Sequence, residues 1–169
     1  MQHLKTLMNN NLKSEITVSI NRTKELLDSK ILWETKENKF KQSVLIEVLI
    51  NLKDLLIKSD KHLGKRISCT DDIIPDDKLK IYDLTGLISN FRDASCHNDS
   101  FRRKYGSSVL SFNSLSGKGV LMQIGDLVIE SKYEDDIIYN MGTNVLYLKR
   151  HIEKAFIELE INFKPYLLF

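Results

Sequence analysis

The stretch that decides the fold is residues 38–62, NKFKQSVLIEVLINLKDLLIKSDKH. Its apolar residues Phe40, Val44, Leu45, Val48, Leu49, Leu52, Leu55 and Leu56 recur at three- and four-residue steps, which places them on one side of an α-helix. Lys39, Lys41, Glu47, Lys53, Asp54 and Lys58 fill much of the remainder. A stripe this wide suits the centre of a helical bundle. Gly64 is a stop signal after it.

On the N-terminal side, Ser14 to Ser29 reads as a first helix, with Ile16, Ile20 and Leu27 on its apolar side and Ser14 as its N-cap. Trp33 is expected to pack a helix junction. On the C-terminal side, RISCTDDIIPDDKL (65–78) reads as a linker that leads into a third helix from about Pro75 to Phe91. Proline suits the first turn of that helix, and Asp76 and Asp77 suit its positive end. Leu79, Tyr82, Leu87 and Phe91 would face the core, with Gly86 a weakening interruption.

The pattern changes after Tyr105. SVLSF, VLMQI and LVIESKY are separated by Gly117-Lys118-Gly119 and Gly125-Asp126, as in a small antiparallel meander of two or three strands. From Thr143, read as an N-cap, the helical period returns through Val145, Leu146, Leu148, Ile152, Ala155, Phe156 and Leu159. The expected fold is mainly α, a bundle of four to five helices with a small antiparallel β-hairpin or meander inserted before the last long helix. One domain is expected over 1–169, with its core over about 14–162 and the β insertion over about 108–133.

Bulk properties narrow the function classes. A chain of 169 residues with 42% hydrophobic and 28% charged residues has the balance of a folded globular protein. A net charge of +2 is too mild to argue a nucleic-acid partner by itself, so any phosphate-binding patch must be local. Cys69 and Cys96 have no CxxC spacing and form no cluster with histidine, which reads as two reduced thiols. The opening MQHLKTLMNNNLKSE is too polar for a signal peptide, and no run approaches the roughly 18 apolar residues of a membrane span. The expectation is a cytoplasmic protein without a membrane partner. Asp71-Asp72, Asp76-Asp77 and Glu134-Asp135-Asp136 lack the ligand spacing of an EF-hand and read as solvated caps, so neither metal nor cofactor is expected. His3, His62 and His151 read as surface residues.

One segment carries interpretable chemistry, LISNFRDASCHNDSFRRKYG, in which Arg92 precedes His97 by five positions. Residues 92–104 contain four Arg or Lys and two Asp, a local charge equal to the net charge of the whole chain. A guanidinium offers a planar fork of donors to phosphate and stays charged. An imidazole titrates near neutrality and can take or give a proton. RNA supplies its own nucleophile in the 2′-hydroxyl, so a base, an acid and a cation at the developing negative charge are sufficient without metal. Asp93 would orient Arg92 or His97, or serve as a helix-end solvent charge. Arg102, Arg103 and Lys104 would grip an RNA backbone or form a solvated basic turn. Ser95 and Asn98 would donate to phosphate or serve the turn.

Arg92-Asp93-Ala94-Ser95-Cys96-His97 resembles the hallmark of the HEPN superfamily, small helical-bundle domains many of which are RNases of toxin–antitoxin, CRISPR and phage-defence systems. That hallmark is an Arg, usually followed by Asn, Asp or His, then four to six intervening residues to a His. The element order from about Asn38 to Asn162 is also similar, but only the short motif matches residue by residue. The resemblance implies a metal-independent endoribonuclease acting on RNA, with Arg92 and His97 catalytic; beside the motif, Asp93 is expected to join the catalytic set and Arg102, Arg103, Lys104 and Asn98 to bind RNA. It also implies a toxin or phage-defence setting with a cognate antitoxin or defence partner. The alternative is a catalytically inactive RNA-binding or protein-interaction domain of the same fold. Asp99 stands where some family toxins carry Tyr, so tyrosine modification by a partner nucleotidyltransferase is not implied.

Five positions on an unbroken helix turn through about 500°, leaving Arg92 and His97 about 140° apart. Either the helix ends near Asp93 and His97 swings back, or two copies pool their residues. HEPN RNases commonly dimerise around this motif, which implies a homodimer with a composite active site, consistent with the way a two-fold axis brings copies of one patch together.

Overall fold

The structure, a computed structural model, describes residues 9–36, 38–97 and 99–167. Four α-helices, α1 (Asn10–Asp28), α2 (Lys41–Leu63), α3 (Leu84–Cys96) and α4 (Lys154–Phe163), surround an apolar core. Among the described residues helix accounts for about 51% and strand for about 18%, so the fold is helix-rich but not a pure bundle.

The central helix lies where its stripe predicts. Leu45, Val48, Leu49, Leu52, Leu55 and Leu56 are buried, and α1, α3 and α4 all pack on α2. Gly64 ends the helix in the left-handed region at φ 64°, where glycine carries no Cβ penalty. Phe40 is the exception to the stripe: it precedes the first turn and stays 69% exposed. In α1, Ile16, Ile20 and Leu27 are buried as expected. The helix starts earlier than Ser14, however, because the Asn9 side chain accepts from Leu12 N at 2.8 Å and caps it. Trp33 sits in a single 3₁₀ turn, Ile31–Trp33, between α1 and α2, and its Nε1 donates to Glu153 beside α4 at 2.9 Å.

The third helix differs from expectation. Residues 75–83 are not helical: Asp76 and Ile81 form an isolated antiparallel bridge, Lys80 is left-handed at φ 56°, and Asp76 Oδ1 accepts from Leu79 N at 2.9 Å. An aspartate that bonds its own local backbone competes with the helix. α3 begins only after Asp83, whose side chain accepts from Gly86 N at 2.8 Å. Gly86 is thus a first-turn residue, and a Cβ there would lie 2.9 Å from the Lys80 carbonyl oxygen.

The strand content also exceeds the expected meander. β1 (Lys104–Tyr105) pairs with β2 (Ser108–Val109), and β4 (Gly119–Ile124) with β5 (Leu127–Ser131). β3 (Asn113–Ser116), β6 (Ile137–Asn140) and β7 (Val145–Tyr147) form an antiparallel sheet in the order β3-β6-β7. The β4–β5 hairpin was legible: it turns on Gly125-Asp126, with positive φ at Gly125 only, the φ pattern of a type II′ turn. The β region spans 104–147 rather than 108–133. Leu110, Ile129, Ile138 and Tyr147 form a second apolar cluster beneath it. Tyr139 ties the sheet to the helices, donating its hydroxyl to the Leu32 carbonyl at 2.5 Å.

No helix starts at Thr143. Val145–Tyr147 pairs with β6, and a π-helical segment, Leu148–Glu153, then leads into α4. The cap comes from a distant residue. Asp136, 1% exposed, accepts from Lys149 N at 2.9 Å, Arg150 N at 3.2 Å and Arg150 Nη1 at 2.9 Å. Asp136 is therefore a cap, but a buried one. Nor is His151 a surface residue: it is fully buried, accepting from Tyr147 N on Nδ1 at 3.1 Å with Nε2 3.0 Å from the Asp71 carbonyl oxygen. Acceptance at Nδ1 assigns the proton to Nε2. His3 lies outside the described residues. Among the described residues no helix is long and apolar enough to cross a membrane.

Candidate functional site

The site begins with the way α3 is anchored. Arg66 grips its capping residue Asp83 in bidentate fashion, Nε to Oδ2 at 2.6 Å and Nη2 to Oδ1 at 3.0 Å. Leu84, Leu87, Ile88, Phe91 and Ala94 bury one face of the helix. That face fixes the rotation of α3 and turns Arg92 and Asp93 to a half-buried flank facing α2.

There Asp93 gathers three cations. Its Oδ1 accepts from Lys53 Nζ of α2 at 2.7 Å and from Arg92 Nη1 at 3.2 Å, and its Oδ2 lies 3.8 Å from Arg102 Nη2. The four side chains are between 23% and 33% exposed. Burial pushes the Asp93 carboxyl up, but Lys53, Arg92 and Arg102 together outweigh it and hold the group below the usual carboxylate range. Three cations around one carboxylate leave an excess of two positive charges, an arrangement suited to an added anion.

His97 stands at the end of the same helix. α3 runs three residues past Asp93, to Cys96, so the helix does not break early to swing His97 back. His97 is the C-cap, with extended backbone at φ −130° and ψ 104°, and is exposed. Its carbonyl accepts from Ser100 N at 3.0 Å, closing a turn. Ser100 in turn caps the 3₁₀ segment Phe101–Arg103, which returns Arg102 to Asp93. The Arg102 guanidinium also sits 4.7 Å from the Phe101 ring centroid.

The structure therefore brings Arg92, Asp93 and Arg102 together, leaves His97 one turn away in solvent, and separates the others. Arg103 donates from Nε to the Leu110 carbonyl at 3.1 Å, and Lys104 is exposed on β1. Ser95 donates its hydroxyl to the Phe91 carbonyl at 2.6 Å, so it is a back-bonded helix residue rather than a phosphate donor. Asn98 lies outside the described residues.

Two participants escaped the linear reading. Nothing in the chain order links Lys53 to Asp93. Asn90 had a readable signal, a polar residue on the apolar side of α3 beside Leu87 and Phe91. It is 6% exposed, and its Nδ2 has no hydrogen-bond partner among the described residues; the same holds for Arg102 Nε. An unpaired buried donor costs about 1–3 kcal/mol.

Beside these residues an open groove of about 560 Å³ runs between the C-terminal half of α2 and the outer side of α3. Among the described residues no group of three or more His, Cys, Asp or Glu is placed to hold a metal ion. Cys69 and Cys96 are both free thiols. Compared with family models, curated proteins and solved structures, the chain matches none.

Proposed function

We propose that this chain is a metal-independent endoribonuclease of the HEPN type, working as a homodimer in a bacterial toxin or phage-defence system. The observation that carries the reading is the cationic cluster around Asp93, which contains Arg92 and lies one turn before an exposed His97. Arg92 would hold the non-bridging oxygens of the scissile phosphate, where charge develops in the transition state. His97 would take the proton of the 2′-hydroxyl as it attacks phosphorus, and a second imidazole would return a proton to the departing 5′-oxygen. The products are a 2′,3′-cyclic phosphate and a 5′-hydroxyl. Two copies facing each other across a two-fold axis would supply both imidazoles.

A second reading, RNA binding or protein interaction without cutting, is favoured by one observation: Asp93 already engages the Arg92 guanidinium. The two are separated by incubating wild type, Arg92→Ala and His97→Ala with mixed RNA in EDTA. Cutting by wild type alone, with cyclic phosphate ends, supports the nuclease. Equal cutting by all three proteins removes it, and RNA retention without cutting supports the second reading. Measuring the mass in solution tests the composite site separately, which a strict monomer would exclude.

A further inference from the structure

The hairpin of β4 and β5 has two outer edges, and among the described residues neither pairs with another strand. The β4 edge is interrupted by a register shift between Val120 and Met122, a feature that discourages further pairing. β5 is regular and contains no proline. Ile124 and Leu127 face each other across the two-residue turn and close it as a hydrogen-bonded pair. Bonded and non-bonded positions alternate from there along β5, so the main-chain N–H and C=O of Val128 and Glu130 point away from β4. Among the described residues no backbone hydrogen bond reaches them from outside the hairpin.

Val128 and Glu130 also line a slot of about 130 Å³, together with Ile74 of the loop before α3 and Val145 of β7. Ile74 and Val128 are exposed although apolar. Two further charges line the slot, and they neutralise each other: Lys132 Nζ lies 3.5 Å from Asp72 Oδ1, and Asp72 also accepts from the Tyr133 hydroxyl at 2.7 Å. Glu130 is exposed and has no ion-pair partner among the described residues. The slot therefore carries one uncompensated negative charge.

Unpaired main-chain groups along a regular edge call for another strand. The apolar lining calls for an aliphatic side chain, and the slot is about the size of a cavity that takes one benzene ring. Glu130 calls for a cation. Residues two apart on a strand share a face, so one extended segment can meet both needs. We propose that the β5 edge takes an extended segment of a partner protein, added as an antiparallel strand. Its basic residue lies opposite Glu130, and its aliphatic residue, two positions later, lies opposite Val128 and fills the slot. A nucleic acid would meet Glu130 with like charge. A second copy of β5 lacks the pattern, because Lys132 is followed two places later by Glu134. The surface uses neither Arg92 nor His97, so its failure leaves the RNA-directed reading untouched.

The test selects a displayed library of short random peptides on the full chain and measures the selected peptides by fluorescence anisotropy. They should converge on a basic residue followed two positions later by an aliphatic one. Glu130→Lys should weaken them about tenfold, and exchanging the peptide's basic residue for Glu should restore binding to that variant. Glu130 is exposed, so the fold should survive; circular dichroism checks this, and Glu130→Gln serves as a milder second variant. N-methylation separates strand addition from side-chain contact alone. Methylating the amide of the aliphatic residue, which faces β5, should abolish binding. Methylating the amide of the residue before it, which faces away, should not. The proposal is overturned if no peptide is selected, if the selected peptides lack the pattern, if the two methylations act alike, or if both folded variants bind as wild type does. It also falls if the chain self-associates and Glu130→Lys alone returns it to a monomer, since the edge would then belong to a second copy.

Discussion

Lys53 of α2 and Asp93 of α3 meet at 2.7 Å, joining the central helix to the helix that carries Arg92 and His97. Both side chains are about three-quarters buried, so the contact is less screened than a surface ion pair.

Lys53→Met should therefore destabilise the protein by about 1–2 kcal/mol, between the values for exposed and fully buried pairs. The Asp93 carboxyl is depressed in the folded state, so the pair contributes above the unfolded value of 3.8 and fades as pH falls through the folded value. Urea denaturation of Lys53→Met, Asp93→Asn and the double variant at neutral pH measures the coupling. Strict additivity would show that the contact contributes nothing.

Asp136 receives three backbone N–H groups, from Ile137, Lys149 and Arg150, together with the Arg150 guanidinium. Asp136→Ala should cost about 2–4 kcal/mol, because it strands buried donors and removes one of Arg150's two carboxylate partners. The unfolding midpoint measures this. A change under about 0.5 kcal/mol, the usual range for surface substitutions, would show that the cap is dispensable.

His151 supplies a pH dependence. Burial holds its imidazole below the ordinary value of 6.5, outweighing the backbone contact with Asp71 and the attraction of Asp72 and Asp136. The unfolded chain then binds a proton that the folded chain refuses, so stability is full above about pH 6.5 and falls as pH drops below it. Subtracting the stability profile of His151→Asn from that of wild type between pH 5 and 8 isolates this slope. Parallel profiles would mean that His151 titrates alike in both states.

Gly142 packs against the chain at Arg102, where a Cβ would overlap the Arg102 carbonyl oxygen. Gly142→Ala should displace the Phe101–Arg103 turn and cost about 1–3 kcal/mol, as overpacking does. The displacement should appear as chemical-shift changes at Arg102 and Asp93. Unchanged shifts with unchanged stability would mean the loop yields freely.

The sequence alone determined those features that depend on neighbours along the chain. The period of residues 38–62 sets the central helix, Gly64 its end, and Gly125-Asp126 the hairpin. Each rests on an interaction spanning a few residues, so spacing suffices to read it. The arginine–histidine motif was visible in the same way, including the angle that argues against a shared helical face.

Tertiary structure decided the rest. Val145–Tyr147 has a helix-compatible pattern, yet it becomes a strand because β6 offers it a ladder. The cap for the segment after it comes from Asp136, thirteen positions before Lys149, and local capping rules cannot reach that far. His151 is buried because the loop at Asp71 folds over it. Asp93 acquires Lys53 from forty residues away and Arg102 through a turn, and only their approach in space makes a cationic cluster and a groove beside it. Electrostatic attraction and burial depend on distance in three dimensions, and between separate elements that distance is set by packing.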